Sequence, residues 1–342
     1  MSSNVPICPQ RDYSRNAGNP GHRIVGETGV LSNSARVSSP ATRLVTRDPA
    51  VKYYGDRMIF ITWNIQWARG IDLAVDPARI ARTARDLADF DVLCLQEVAV
   101  NFPALPGSRA EDQVSELSRA LPGYSSHYGA AVDVDDGKKS RSLFGNLIFS
   151  RLPVVQVLRH LLPRPADPSV KSMQRTAVEA IITAPWGPLR IITTHLEFYA
   201  KGQRTAQVGA LRALHEEACG HAALSNDADD PAAGPFRVLP RPASAILAGD
   251  FNFTKEDTEY QFALQPFATA GTPAFVDSWT IAHPDRPHAP TAGIFENSWT
   301  KEPICCDFVF VTEDLVPRVR NVKVDVLTQA SDHQPVLVEF RD

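Results

Sequence analysis

From Met58 onward the chain alternates between runs of apolar positions and short polar breaks. Ile59, Ile61, Trp63 and Ile65 share one face of a predicted strand, and Phe60, Thr62 and Asn64 share the other. Asp76 and Pro77 have the form of an N-cap followed by a first-turn proline, and Ile80, Ala84 and Leu87 give the helix behind them an apolar stripe. Residues 91–95 predict a short buried strand that ends at Gln96 and Glu97. Ser108 and Glu111 have capping-box spacing for a helix with the stripe Val114, Leu117 and Leu121. Strand patterns follow near 124–132, 145–150, 153–161, 176–184 and 188–196. A long helix is predicted over 203–223 with Val208, Leu211 and Leu214 inward. Residues 225–242 read as a solvated loop. Strands return at 243–249, 306–312, 320–327 and 335–340, and Thr254 is placed to cap a helix near 255–265. Many strands with a few helices inserted between them predict two sheets faced by helices rather than a regular βαβ array.

Residues 1–57 lack this periodicity and are rich in Ser, Asn, Arg, Pro and Gly. They read as a mostly disordered extension, and 58–342 as the folded domain. No hydrophobic signal-peptide stretch is present in them. Their Arg and Ser content suggests an organelle transit peptide, against which stand Asp12, Glu27, Asp48 and Asp56. Met58, where the ordered pattern begins, is a third reading, as the natural start.

Composition narrows the class. The chain has 342 residues, 44% hydrophobic and 22% charged, with 27 Pro and 19 Gly, which excludes collagen, coiled coil and a wholly disordered chain. No apolar run approaches the ~18 residues of a membrane span. The net charge of −4 is unevenly spread: the first 57 residues carry a positive excess and the rest a larger negative one. An acidic body argues against a general polyanion binder. It leaves room for a phosphate-bearing substrate, because a divalent metal supplies positive charge. Cysteines stand at 8, 94, 219, 305 and 306, with no C-x-x-C pair. The pattern fits a reducing compartment, the cytoplasm, and makes Cys305 and Cys306 packing residues rather than a redox pair.

The polar residues fall at strand ends. Asn64 closes the first strand, and Gln96 and Glu97 the second. His195 closes Ile191-Ile192-Thr193-Thr194, Asp250 and Asn252 follow Ala245-Ile246-Leu247-Ala248-Gly249, Asp307 opens Phe308-Val309-Phe310, and Asp332 and His333 sit in a turn before Val336. Any one of these is ordinarily a turn or rim residue. Their recurrence at the ends of rigid strands points to a site.

In chain order the segments Thr62-Trp63-Asn64-Ile65, Leu95-Gln96-Glu97, Gly145-Asn146-Leu147-Ile148-Phe149-Ser150-Arg151, Thr194-His195-Leu196, Gly249-Asp250-Phe251-Asn252, Cys306-Asp307-Phe308-Val309 and Ser331-Asp332-His333 resemble the endonuclease/exonuclease/phosphatase superfamily of deoxyribonuclease-I-like phosphoesterases. The resemblance spans about 58–342. It implies a four-layered α/β sandwich, two mixed sheets flanked by helices, with the site at one rim. It also implies roles. Glu97 and Asn64 would hold Mg²⁺ (or Mn²⁺), helped by Asp332. Asp250 would orient or deprotonate the attacking water, and Asn252 would hold that water or the phosphate. His333, held by Asp307, would contact a phosphate oxygen, and His195 would be a second phosphate-facing histidine. Asn146 and Arg175 are the candidate substrate-binding residues.

The chemistry is coherent without the name. Hard Mg²⁺ takes oxygen ligands and polarises a phosphoryl group. A carboxylate aligns or deprotonates water, and an imidazolium stabilises the negative charge that develops on the phosphorane. The expected reaction is therefore metal-assisted hydrolysis of a phosphodiester, with a nuclease as the first reading. A phosphatase or lipid-headgroup phosphodiesterase is the second reading, and a non-catalytic scaffold is disfavoured by the complete residue set. One departure stands out: Gln66 occupies the place where the abasic-site branch carries an Asp. Trp67 is equally a substrate-facing or a packing residue. Phe198 and Tyr199 read as packing, Lys201 and Arg204 as rim residues, and Lys138, Lys139 and Arg141 as a solvated basic run.

Overall fold

Strand β1 (Arg57–Asn64) shows how the alternation becomes layers. Met58 and Phe60 point to one side and pack with Val92, Cys94, Ile148, Val178, Ile191, Ile246 and Val309. Ile59, Ile61 and Trp63 point to the other and pack with Ile80, Ala84 and Leu117. One strand thus borders two cores, which requires a layer on each side of it.

The structure is a computed structural model that describes residues 56–224, 231–296 and 298–342. The expected extension falls outside them except for Asp56 and Arg57, and Arg57 already pairs with Arg341. The other strands are β2 (Val92–Val100), β3 (Ser125–Asp135), β4 (Arg141–Ser150), β5 (Val154–Leu161), β6 (Thr176–Ala184), β7 (Gly187–His195), β8 (Ala245–Asp250), β9 (Phe275–Asp277), β10 (Asp307–Thr312), β11 (Val319–Val324) and β12 (Val336–Arg341). The helices are α1 (Pro77–Leu87), α2 (Gln113–Ala120), α3 (Lys201–Ala223), α4 (Thr258–Leu264) and α5 (Ser278–Ala282).

Two six-stranded sheets form, in the orders β11-β12-β1-β2-β4-β3 and β5-β6-β7-β8-β10-β9. Both are mixed: β1 and β2 are parallel, as are β7 and β8, while their other neighbours are antiparallel. The sheets share the central core. Helices α1 and α2 cover the outer face of the first, and α3 and α4 that of the second, where Val208, Leu211 and Tyr260 meet Ile192, Leu247 and Phe310. The result is the expected four-layered sandwich.

Several expectations need correction. Helix α2 is capped by Asp112, whose carboxylate accepts the Ser115 N–H at 3.0 Å. The Ser108–Glu111 pair instead closes the turn before it, where Glu111 accepts the Arg109 N–H at 2.8 Å. Helix α4 starts later than expected, at Thr258; Thr254 gives its N–H to the Asp257 carboxylate. Leu214 is only half-buried, and the inward positions of α3 include Gln207 and His215. The short β9 and α5 were not anticipated. Cys94, Cys219, Cys305 and Cys306 are free thiols. Among the described residues no helix is long and apolar enough to cross a membrane.

Candidate active site

Sheet register brings the polar strand ends together. In the second sheet Asp250 pairs with His195 of β7 on one side and Asp307 of β10 on the other, so three functional groups stand in one row. In the first sheet Asn64 pairs with Gln96. The two rows meet at one edge of the sandwich, where Asn64 Nδ2 donates to Asp250 Oδ2 at 2.9 Å and to Glu97 Oε1 at 3.2 Å. Beneath them Gln96 Nε2 bridges the sheets, donating to Thr62 Oγ1 at 3.1 Å and Thr193 Oγ1 at 2.8 Å.

Local backbone features aim the groups. β2 does not end at Glu97 but continues to Val100 through a register shift between Leu95 and Val98. Glu97 sits in that irregularity with φ 61°, in the left-handed region, as a bulged residue that re-aims its side chain. Asn252 also has positive φ, 53°. Its N–H donates to Asp250 Oδ1 at 2.9 Å and its side-chain amide to the Leu196 carbonyl at 2.9 Å. Gly249 has φ 140°, and a Cβ there would lie 1.9 Å from the Thr194 carbonyl oxygen, so only glycine allows β7 and β8 to converge directly before Asp250.

The turn carrying Asp332 and His333 is fastened to β1. Trp63 Nε1 donates to the His333 carbonyl at 2.9 Å, and Ser331 Oγ to the Asn64 carbonyl at 2.8 Å. His333 Nδ1 lies 2.8 Å from Asp307 Oδ2, which also accepts Thr291 Oγ1 at 2.7 Å. His333 Nε2 then faces Asp250 Oδ2 at 3.8 Å. The indole of Trp299 stacks on the His333 ring at 5.7 Å and 17°.

The electrostatics divide the two histidines. Burial opposes charge on His333, but Asp307 and Asp250 outweigh it and hold its pKa well above the ordinary value. His195 lies 3.4 Å from Asp250 Oδ2 and 3.8 Å from Glu97 Oε1. Its burial, with the nearby Arg175 charge, still pushes it down to about 3, so it stays neutral. Burial and then the Asp332 charge raise Glu97 to about 7, and burial raises Asp332. Glu97, Asn64 and Asp332 offer oxygen atoms only. Two carboxylates whose charges repel one another, beside an amide oxygen, are a donor set suited to a hard divalent cation. Cys306, Asp307 and His333 also bring ligand atoms within 4.8 Å of one another. The short His333–Asp307 contact makes a hydrogen-bonded imidazole–carboxylate pair the better description of those two.

The remaining candidates differ in placement. Arg175 is buried and gives Nε to Glu197 at 3.3 Å, while its Nη1 has no hydrogen-bond partner among the described residues. Asn146 Nδ2 donates to the Thr176 carbonyl at 2.9 Å, tying β4 to β6 behind the site. Lys201 and Arg204 turn toward Glu259 instead of the cleft. Arg141 pairs with Asp133 on the surface, as the solvated basic run implied. Phe198 and Tyr199, expected to pack, are 37% and 49% exposed and line the cleft mouth. Sequence reasoning missed Phe102, Leu105, Met173 and Trp299 there.

A model of the endonuclease/exonuclease/phosphatase family matches residues 61–333. No curated protein matches the chain. Among solved structures, an endonuclease/exonuclease/phosphatase from Beutenbergia cavernae is 24% identical, with TM-score 0.58, covering 84% of this chain and 72% of that one. A mannosyl-6-phosphatase from Bacteroides thetaiotaomicron is 20% identical, with TM-score 0.54, covering 82% and 98%. TDP2 from C. elegans is 18% identical, with TM-score 0.53, covering 84% and 75%. These likenesses are of fold, and the match along the sequence fixes the lineage: the chain belongs to the endonuclease/exonuclease/phosphatase family.

Proposed function

We propose that the protein is a Mg²⁺-dependent phosphoesterase that hydrolyses its substrate by direct attack of water. The observation that carries this reading is the convergence of Asn64 and Glu97 from one sheet with Asp250 and the His333–Asp307 pair from the other. Glu97, Asn64 and Asp332 would hold the cation, with Mn²⁺ as a substitute. When bound, it supplies Lewis-acid polarisation of the phosphoryl oxygen and neutralises developing charge.

The protein's own groups do the rest. Asp250 is fixed through both oxygens by Asn64 and Asn252, which suits it to align the attacking water and take its proton. His333, kept cationic by Asp307, donates to a phosphoryl oxygen through Nε2. Neutral His195 and Arg175, whose Nη1 has no hydrogen-bond partner among the described residues, are further donors toward the same oxygens. Asn252 helps hold the water or the phosphate, and Asn146 supports the substrate wall from behind.

The family's phosphatase and TDP2 structures leave both monoesters and diesters open as substrates. The test is hydrolysis of bis(4-nitrophenyl) phosphate and 4-nitrophenyl phosphate with Mg²⁺ and with EDTA. EDTA-sensitive cleavage of either supports the reading, and the faster substrate assigns the ester class. Cleavage that persists in EDTA, or no cleavage of either together with no Mg²⁺ binding by calorimetry, would sink it. The cysteine pattern favours a cytoplasmic location.

A further inference from the structure

The cleft in front of His333 encloses about 430 Å³, and its chemistry is segregated. The polar groups lie together: Glu97, His195, Asp250, Asn252, Asp332 and His333. The rest of the lining is largely apolar and comes in two ring clusters. One is carried by the first sheet and its β2–α2 connection, with Phe102 and Phe144 edge to face at 6.3 Å. The other is carried by connections of the second sheet, with Phe198 edge to face against Trp299 at 5.7 Å and against Tyr199 at 4.8 Å.

Charge is distributed just as unevenly. Arg175 is the one Lys or Arg among the residues that line this cleft. It is only 5% exposed, and its Nη1 has no partner among the described residues. Lys171, which is not among the lining residues, has Nζ 4.6 Å from the centre of the Tyr199 ring. The Arg175 Nε is paired with Glu197 at 3.3 Å, which leaves Nη1 as one donor for a further oxygen, such as one of a phosphate. A strand of nucleic acid calls for a row of cations along its phosphates, and this cleft offers none.

We infer that the cleft selects a phosphoester with one bound phosphate and a planar apolar ring beside it, the phosphate held by Arg175 and the polar floor and the ring by the aromatic walls. This rests on the phosphoesterase reading and narrows it toward small aryl or nucleoside esters and away from polymeric nucleic acid. Rings suit such walls because stacked and edge-to-face contacts are made by any π-face, aryl or nucleobase alike.

The test is calorimetric binding, with Mg²⁺ present, of phenylphosphonate and methylphosphonate. They carry the same type of anionic head on a carbon–phosphorus bond that hydrolysis does not open. Thymidine 5′-phosphate serves as the nucleobase arm. The expected result is that phenylphosphonate, thymidine 5′-phosphate or both bind at least ~10-fold tighter than methylphosphonate. That ratio should fall below ~3-fold in Phe198→Ala and Met173→Ala, two partly exposed side chains. Equal affinities in the wild type overturn the inference whatever the variants do, and so does failure of all three to bind. A 20-nucleotide single strand that binds tighter than the ring ligands, with a steep salt dependence, overturns the single-phosphate half. The phosphoesterase reading stands or falls separately, on EDTA-sensitive hydrolysis.

Discussion

Gln66 Nε2 donates to Asp332 Oδ2 at 2.6 Å, while the Gln66 backbone N–H donates to Asn64 Oδ1 at 3.1 Å. One residue thus orients two of the three candidate cation ligands. It does so from a turn in which Gln66, Trp67 and Ala68 all have positive φ, an unfavourable conformation that the surrounding packing sustains. Partners behind a metal ligand typically contribute about 10–100-fold to metal affinity. Gln66→Ala should therefore weaken Mg²⁺ binding by roughly 10-fold with the far-UV spectrum unchanged. An identical Mg²⁺ isotherm would show that Gln66 only closes the turn.

His333→Ala and Asp250→Ala should each lower kcat by ~10²–10⁴, because they remove the proposed cationic donor and the proposed base. Glu97→Ala should act differently, mainly raising the Mg²⁺ concentration needed for half-maximal rate. The measurement is a Mg²⁺ titration of turnover for all three variants beside a thermal melt. Near-wild-type turnover in folded His333→Ala or Asp250→Ala would remove that residue from the mechanism.

Stability should fall toward acid in two stages, both away from the cleft. Burial and the adjacent Arg190 push His215 down to about 4. Its unfolded form takes a proton near 6.5, so the stability His215 supplies is complete above that pH and drains away as pH falls toward 4. Burial works against Glu179, but His160, Arg241 and Arg190 hold it down to about 2. Its contribution is complete above the unfolded value of 4.5 and is lost as pH falls toward 2. Urea midpoints measured from pH 7.5 to 3 should show both declines. Glu179→Gln should flatten the lower one and cost about 3–5 kcal/mol at neutral pH by leaving buried arginines uncompensated.

Gly249→Ala should destabilise the fold by about 3 kcal/mol, since its Cβ would collide with the Thr194 carbonyl and its φ suits only glycine. Activity should fall more steeply than stability, because the collision parts His195 from Asp250. A melting temperature within 2 °C of wild type, on the ~4 °C per kcal/mol or less expected at this size, would contradict the close approach.

The sequence made some of this legible and concealed the rest for physical reasons. The strand ends bearing Asn64, His195, Asp250, Asp307 and His333 could be read because two-residue alternation fixes which face each residue occupies, and register then aligns the ends. The bulge at Glu97 could not, since the polar pair Gln96-Glu97 in an otherwise apolar run reads equally as the end of a strand. Asp112 does not stand out as a cap because Ser108 and Glu111 have capping-box spacing while closing a different turn. The ring-lined walls were hardest: Phe102, Met173 and Trp299 lie in connections without periodicity, where nothing local distinguishes a ring facing a cleft from one facing the core.

The bridge from Asn64 to Asp250 has a mechanical meaning. One half of the candidate site rides on each sheet, so the thickness of the shared core sets the distance between the two halves. Side chains such as Cys94, Ile148 and Ala248, which touch no substrate, act as spacers of a caliper. Enlarging Ala248 would open its jaws and shrinking Ile148 would close them.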